Sequence, residues 1–160
     1  MDYDIQEMKI PLQEAVTEVF EGMAFAEVEK CEEIDKLPDL TSNDYYATLS
    51  ITQPFSAGLN LVVDQNFLEE ILQTTIDANS PSDFEKMAKD LISESANTIA
   101  GCFLNKYLPP EQEFEIGIPA SGKMSEKPVL TTGGKKEVIF SFTVEFKTIY
   151  CILSGQKAGN

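Results

Sequence analysis

The feature that most constrains this chain is one long amphipathic run, read as a helix that ends at Leu108. Ser80-Pro81-Ser82-Asp83-Phe84-Glu85 opens it. Two overlapping capping boxes compete there, Ser80 with Asp83 or Ser82 with Glu85, and the sequence does not choose between them. Pro109-Pro110 closes the run, because proline lacks the amide that a continuing helix needs. About 25 helical residues span roughly 38 Å. On a wheel of about 100° per residue with Phe84 at zero, an apolar stripe lies within roughly 80° of a mean near 30°. Met87, Ala88, Leu91, Ile92, Ser95, Ile99, Cys102 and Phe103 form it. Asp90, Glu94, Asn97 and Gly101 fall at roughly 220–280°, on the far side, and Asp83 joins them. Glu94 and Asn97 are three residues apart and project as neighbours. Gly101 costs about 1 kcal/mol against alanine inside a helix, so it asks for a reason. Close approach of another backbone is one such reason, and packing against a helix of the same chain is another.

The rest of the chain supplies elements for such a helix to cover. Residues 10–24 read as a helix with Leu12, Val16, Val19, Phe20 and Met23 at helical spacing and Pro11 in the first turn. A short extended segment, about 25–31, and a polar loop over 32–44 follow. Residues 45–52 alternate as a strand, 54–58 turn the chain, and 59–63 return it as a hairpin partner. Asp64 caps a second helix over 65–77, with Phe67, Leu68, Ile71, Leu72 and Ile76 turned inward. Beyond the long helix, residues 113–118 alternate through Phe114, Ile116 and Ile118. Residues 119–128 read as loop, 128–132 as a further strand segment, and Gly133-Gly134 as a turn. Residues 138–153 carry two strand patterns with a reversal near 145–147. Each half thus runs helix, then strands. The fold class expected is α+β: a largely antiparallel sheet with two long helices packed on one face, in a helix-then-strands pseudo-repeat, all in a single domain over residues 1–160.

Composition removes several kinds of chemistry. The 160 residues carry a net charge of −15, and the 12 basic residues are all lysine. Such a chain is repelled by phosphate backbones and anionic lipid, so nucleic acid and membrane are poor partners and a basic protein face is a better one. No histidine is present, which excludes an imidazole base and a Ser-His-Asp triad. The absence of arginine excludes an arginine finger. Any phosphoryl chemistry must take its positive charge from a partner or a metal. Cys31, Cys102 and Cys151 are odd in number and widely spaced, so they read as free, buried thiols in a reducing compartment. The start, Met1-Asp2-Tyr3-Asp4, is acidic and lacks an apolar signal region. No apolar run approaches about 18 residues, as a membrane span requires. A cytoplasmic location is expected.

A glutamate and an asparagine on a polar helix face are, by themselves, most often plain solvated surface. The pattern Asp90-x-x-x-Glu94-x-x-Asn97-x-x-x-Gly101, followed by Pro119, resembles the signature of the CheC/CheX/FliY family, which dephosphorylates the chemotaxis response regulator CheY. Here 21 residues separate Asn97 from Pro119, about one off the usual pattern and read as a loop difference. CheC-like members carry two such motifs, whereas in this first helix neither Glu14 nor Glu18 has an asparagine three residues on. One site in a short chain is similar to the CheX branch. The likeness in element order covers nearly the whole chain.

The resemblance implies roles. Glu94 would pair with the regulator's active-site lysine and Asn97 would orient the attacking water, making them the catalytic pair. Asn97 suits this because its amide both donates and accepts and stays neutral beside a phosphoryl group. Asp90 and Gly101 are accessory or partner-contact candidates. No metal or other cofactor is expected on this chain, with Mg²⁺ on the partner regulator. The partners implied are a phosphorylated CheY-type response regulator and a second copy of the chain in a homodimer. A competing reading from another class is a noncatalytic module that docks a receiver domain or a signalling adaptor through the same face.

Overall fold

Alternation of buried and half-exposed positions along residues 45–53 and 57–63 places one side of a hairpin against helices, and the sheet grows from that hairpin. The computed structural model describes residues 3–24, 26–75, 81–131 and 136–155. In chain order the elements are α1 (Ile5–Ala24), β1 (Lys30–Ile34), β2 (Tyr45–Gln53), β3 (Ala57–Val63), α2 (Gln65–Thr75) and α3 (Pro81–Tyr107). Then come β4 (Glu115–Ile116), β5 (Ala120–Lys123), a 3₁₀ turn over Met124–Glu126, β6 (Glu137–Val144) and β7 (Lys147–Gly155). All the pairings are antiparallel. The sheet runs β1-β6-β7-β3-β2-β4, with β5 beside β4 on the outer side of β2.

α1 and α3 pack on one another and on one face of this seven-stranded sheet. That is the expected α+β arrangement of two long helices on an antiparallel sheet. Leu12, Val16 and Phe20 from α1 and Ile92, Ile99 and Phe103 from α3 are fully buried. They meet Leu59, Leu61, Phe140, Phe142 and Cys151 in the same core cluster. Each such side chain contributes about 1.5–3 kcal/mol of transfer free energy. The intervening strand residues Val62, Ile139 and Ile152 point the other way and form a smaller core with Leu130, against which Leu37, Leu40 and Met124 pack. Asp64 Oδ1 accepts from the Asn66 amide at 2.7 Å, as its capping role requires.

Several boundaries differ from those read in the sequence, each for a tertiary reason. α1 begins at Ile5, so Pro11 lies inside the helix. Met8 is buried, and Tyr3 reaches Phe55 with ring centroids 4.8 Å apart; this packing offsets the hydrogen bond that Pro11 cannot make. β1 occupies 30–34 and thus extends into the segment read as loop; it is mostly exposed and polar, being an edge strand. β5 and the 3₁₀ turn lie within 119–128, which also read as loop. Residues 128–131 are not strand, and β4 is limited to two residues, leaving Ile118 94% exposed. α3 ends at Tyr107, although the Leu108 amide still donates to the Leu104 carbonyl at 2.9 Å. The reversal near 145–147 is present: Glu145 and Phe146 take positive φ values of 49° and 67° between β6 and β7. Of the three free cysteines only Cys151 is buried; Cys102 is half-buried and Cys31 is exposed. The choice between capping boxes, Ile76 and the Gly133-Gly134 turn lie outside the described residues.

Candidate functional site

α3 is held on three sides, and this determines which residues remain outward. Toward the sheet it buries Ile92, Ala96, Ile99 and Phe103. Toward α1 it presents Ser95, whose hydroxyl donates to the Leu91 carbonyl at 2.7 Å and lies 3.9 Å from the Met23 sulfur. Further along, the Cys102 thiol donates to Glu18 Oε2 at 3.4 Å and Lys106 Nζ meets Glu18 Oε1 at 2.7 Å. On the opposite flank the sheet edge is tied to the helix: Ser121 Oγ on β5 donates to the Lys89 carbonyl at 3.0 Å. Between these supports stand Asp90, Glu94 and Asn97, all exposed.

The structure therefore brings together the residues that the helical wheel grouped. Glu94 and Asn97 lie on successive positions of one outward row, with Asp90 one turn before Glu94 and Gly101 one turn after Asn97. Among the described residues, the side chains of Asp90, Glu94 and Asn97 have no hydrogen-bond or ion-pair partner. Lys89, the nearest lysine in sequence, is engaged by Glu85 at 3.2 Å. Thr98 Oγ1 donates back to the Glu94 carbonyl at 2.8 Å, which keeps that side chain on its own helix. A Cβ built at Gly101 would meet nothing within 4 Å. The glycine is thus not required by packing against α1, and the space above it is open. Pro119 lies between β4 and β5, half-buried, two residues before the Ser121 tether.

Chemically, the row offers a carboxylate free to receive a cation and a neutral carboxamide one turn away. It has no acid–base partner and no nucleophile. Among the described residues no three His, Cys, Asp or Glu side chains converge as a metal site would need. Three displaced titrations lie where α3 meets α1. The hydrogen bond from Lys106 holds the Glu18 carboxyl below its ordinary value, helped by Cys102. Lys106 is pushed up, chiefly by the same bond to Glu18. Burial raises the Cys102 thiol, and the hydrogen bond to Glu18 adds to it. Sequence reasoning found the outward row but missed the Ser121 tether and the Lys106 contacts with α1. Both join residues far apart in the chain, and no local pattern signals them.

Comparison with known proteins places the fold. The CheX protein of Vibrio vulnificus has a TM-score of 0.73 at 14% identity, over 94% of this chain and 99% of that one. A CheC-like superfamily protein from Shewanella sp. PV-4 has a TM-score of 0.71 at 17% identity, over 98% of this chain and 100% of that one. A chain in the CheX–CheY–BeF₃–Mg²⁺ complex of Borrelia burgdorferi has a TM-score of 0.71 at 16% identity, over 92% of this chain and 96% of that one. At these identities the likeness is one of fold. No curated protein matches the sequence. The family description "Chemotaxis phosphatase CheX" matches residues 45–143, which include β2 through most of β6 and all of α3. With more than half of its length matched in this way, the chain belongs to the CheX family of chemotaxis phosphatases.

Proposed function

We propose that this chain hydrolyses the aspartyl phosphate of a CheY-type response regulator, with Glu94 docking the regulator and Asn97 positioning the attacking water. The observation that carries the reading is the outward row on α3, in which Glu94 and Asn97 are exposed and unpartnered below an open Gly101. The regulator in the Borrelia burgdorferi complex, CheY with BeF₃ and Mg²⁺, is the kind of partner this face would meet. Glu94 accepts a lysine of the regulator and so fixes the orientation of α3 over the phosphorylated aspartate. The Asn97 carboxamide accepts a hydrogen bond from water and holds it in line with the phosphorus. Water oxygen bonds to phosphorus as the bond from phosphorus to the aspartyl oxygen breaks, giving inorganic phosphate and a free carboxylate. Catalysis of this kind comes from positioning, so a chain without histidine or arginine suffices. Mg²⁺ and lysine are the regulator's contributions. The same reading has one domain over residues 1–160, a cytoplasmic homodimer, and Asp90 at the rim of the contact.

The test is the rate at which phosphoryl label leaves a phosphorylated CheY-type receiver with and without this chain. Faster, saturable loss supports the proposal. Tight binding to the phosphorylated receiver with no acceleration favours the noncatalytic docking module instead.

A further inference from the structure

α3 is gripped by the sheet at its backbone, and the grip falls one residue before the outward row. Ser121 Oγ on β5 donates to the Lys89 carbonyl at 3.0 Å. Lys89 lies well inside a helix of 27 residues, so its carbonyl already accepts the Ser93 amide in the helical ladder. The hydroxyl takes the second lone pair of that oxygen. The helix therefore does not need this bond to satisfy an orphan group, and an alanine in its place would leave no polar atom unpaired. What the hydroxyl adds is direction: it fixes where the α3 backbone sits against the sheet edge.

β5 is a firm base for that bond although it has only four residues. It pairs with β2 from Tyr45 opposite Lys123 to Thr48 opposite Ala120. The 3₁₀ turn that follows ties it down again. Glu126 accepts from the Tyr46 hydroxyl at 3.1 Å and from the Lys123 amide at 3.4 Å, and the Met124 amide donates to the Asp44 carbonyl at 2.8 Å. Lys123 Nζ stands 5.8 Å from the centre of the Tyr45 ring, and that ring meets Phe84 of α3 edge-on at 6.2 Å. The α1 side holds α3 differently. Glu18 reaches the ends of the Cys102 and Lys106 side chains, which rotate about their own bonds, and not the helix backbone.

Resting on the reading of α3 as the catalytic face, we propose that Ser121 is a positioning residue for the hydrolysis: its hydroxyl fixes the roll of α3 and thereby the place of Asn97. Apolar burial between α3 and the sheet is non-directional, so it sets a roll of a few degrees only loosely. A side-chain tip on the outward row lies about 5–6 Å from the helix axis, and a roll of about 10° moves it by about 1 Å. Misplacement on that scale costs a positioned reaction up to about 100-fold. Asn97 is short and cannot follow the water through such a shift. Glu94 is longer by one rotatable bond and still reaches a lysine. Loss of the tether should therefore slow the chemical step more than it weakens docking. Ser121 acts only through the Lys89 carbonyl.

The experiment uses the full chain, a phosphorylated CheY-type receiver in Mg²⁺, and four side chains at position 121. Serine and Ser121→Thr carry the hydroxyl; Ser121→Ala and Ser121→Val lack it, and valine has the shape of threonine. Ser121→Ala and Ser121→Val should lower kcat by about tenfold with KM within about twofold of wild type. Ser121→Thr should keep kcat within about twofold. Wild-type kcat in folded Ser121→Ala and Ser121→Val overturns the positioning role and leaves the phosphatase reading intact. A kcat that follows side-chain size, with threonine and valine alike, also overturns it. So does a lowered melting temperature with kcat per folded molecule unchanged, which is the mark of a purely structural bond. A rise in KM with kcat unchanged assigns Ser121 to docking and overturns the proposal as well. If wild type does not accelerate decay of the receiver, the phosphatase reading and the positioning role fall together.

Discussion

The carboxylates of α1 and α3 are alike in exposure but not in company. Glu14 and Glu18 on α1 face Lys106 from α3, at 3.8 and 2.7 Å, and Glu18 also accepts from the Cys102 thiol. Asp90 and Glu94 on α3 have no such answer among the described residues. An internal lysine occupies the place a foreign cation would take on α1. α3 keeps that place open, with a neutral amide beside it and no side chain over Gly101. A charged helix face is thus distinguished as a docking surface by what the chain leaves unsatisfied, more than by the number of its charges.

The comparison is broken most severely by changing the amide. Asn97→Ala should lower turnover of the phosphorylated receiver by about 100-fold or more, the scale of losing a positioned reactant. Its stability should change by about 0.5 kcal/mol or less, since the side chain is exposed and unpartnered. A folded variant with substantial activity removes Asn97 from the chemistry.

Gly101 sharpens the same contrast from the side of space. Gly101→Leu should fold, because a Cβ there meets nothing, yet lose about tenfold or more in kcat/KM by blocking approach. Gly101→Ala should be neutral or stabilising by up to about 1 kcal/mol. A sharp fall in the melting temperature of Gly101→Leu would mean that the position serves packing after all. Glu94→Ala should weaken docking and hydrolysis by about tenfold, and Glu94→Gln less, since it keeps shape and loses charge.

Charge steering gives a smaller effect. The net charge of −15 and the row containing Asp90 and Glu94 should make association with the receiver fall severalfold between about 0.02 and 0.5 M salt, as the screening length shortens. Stopped-flow rates that are flat across this range would show that Asp90 and Glu94 do not steer.

The α1 side should respond to pH rather than to the partner. Glu18 titrates below its ordinary value in the folded chain because Lys106 binds it. Its stabilising contribution is present above the ordinary carboxylate value and is lost as pH falls through the lowered one. Lys106, raised by Glu18, adds stability that is present below the ordinary lysine value and lost as pH rises through the raised one. The pair is solvent-screened, so Lys106→Met should lower the melting temperature near neutrality by only about a degree or two. That difference should vanish in acid. Melting curves with a large, pH-independent difference would point to packing of the lysine stem instead.

The α3 face was legible because a long helix repeats its period many times, so Asp90, Glu94, Asn97 and Gly101 could be placed opposite Ile92, Ile99 and Phe103 without knowing the fold. The hairpins were legible from alternation; even the β6–β7 reversal at Glu145 and Phe146, which no glycine marks, followed from two runs of inward aromatics and aliphatics. The segments that escaped are those fixed by distant partners. Ala120-Ser121-Gly122-Lys123 has no apolar alternation and becomes a strand only because β2 and Lys89 hold it. Ile5–Ile10 extends α1 through Pro11 because Met8 finds the core. Between β4 and β5 four steps along the edge match three along β2, and the extra residue, which leaves Ile118 exposed, belongs to the pairing and not to one strand's pattern.

The central claim is that the open row on α3, and not the satisfied one on α1, performs the hydrolysis. The most direct measurement is the decay of a phosphorylated CheY-type receiver in Mg²⁺ with wild type, Asn97→Ala and Glu18→Ala side by side. Rapid decay is expected with wild type and with Glu18→Ala, and decay near the receiver's own rate with Asn97→Ala. Decay that survives Asn97→Ala, or that is lost in a folded Glu18→Ala, would contradict it.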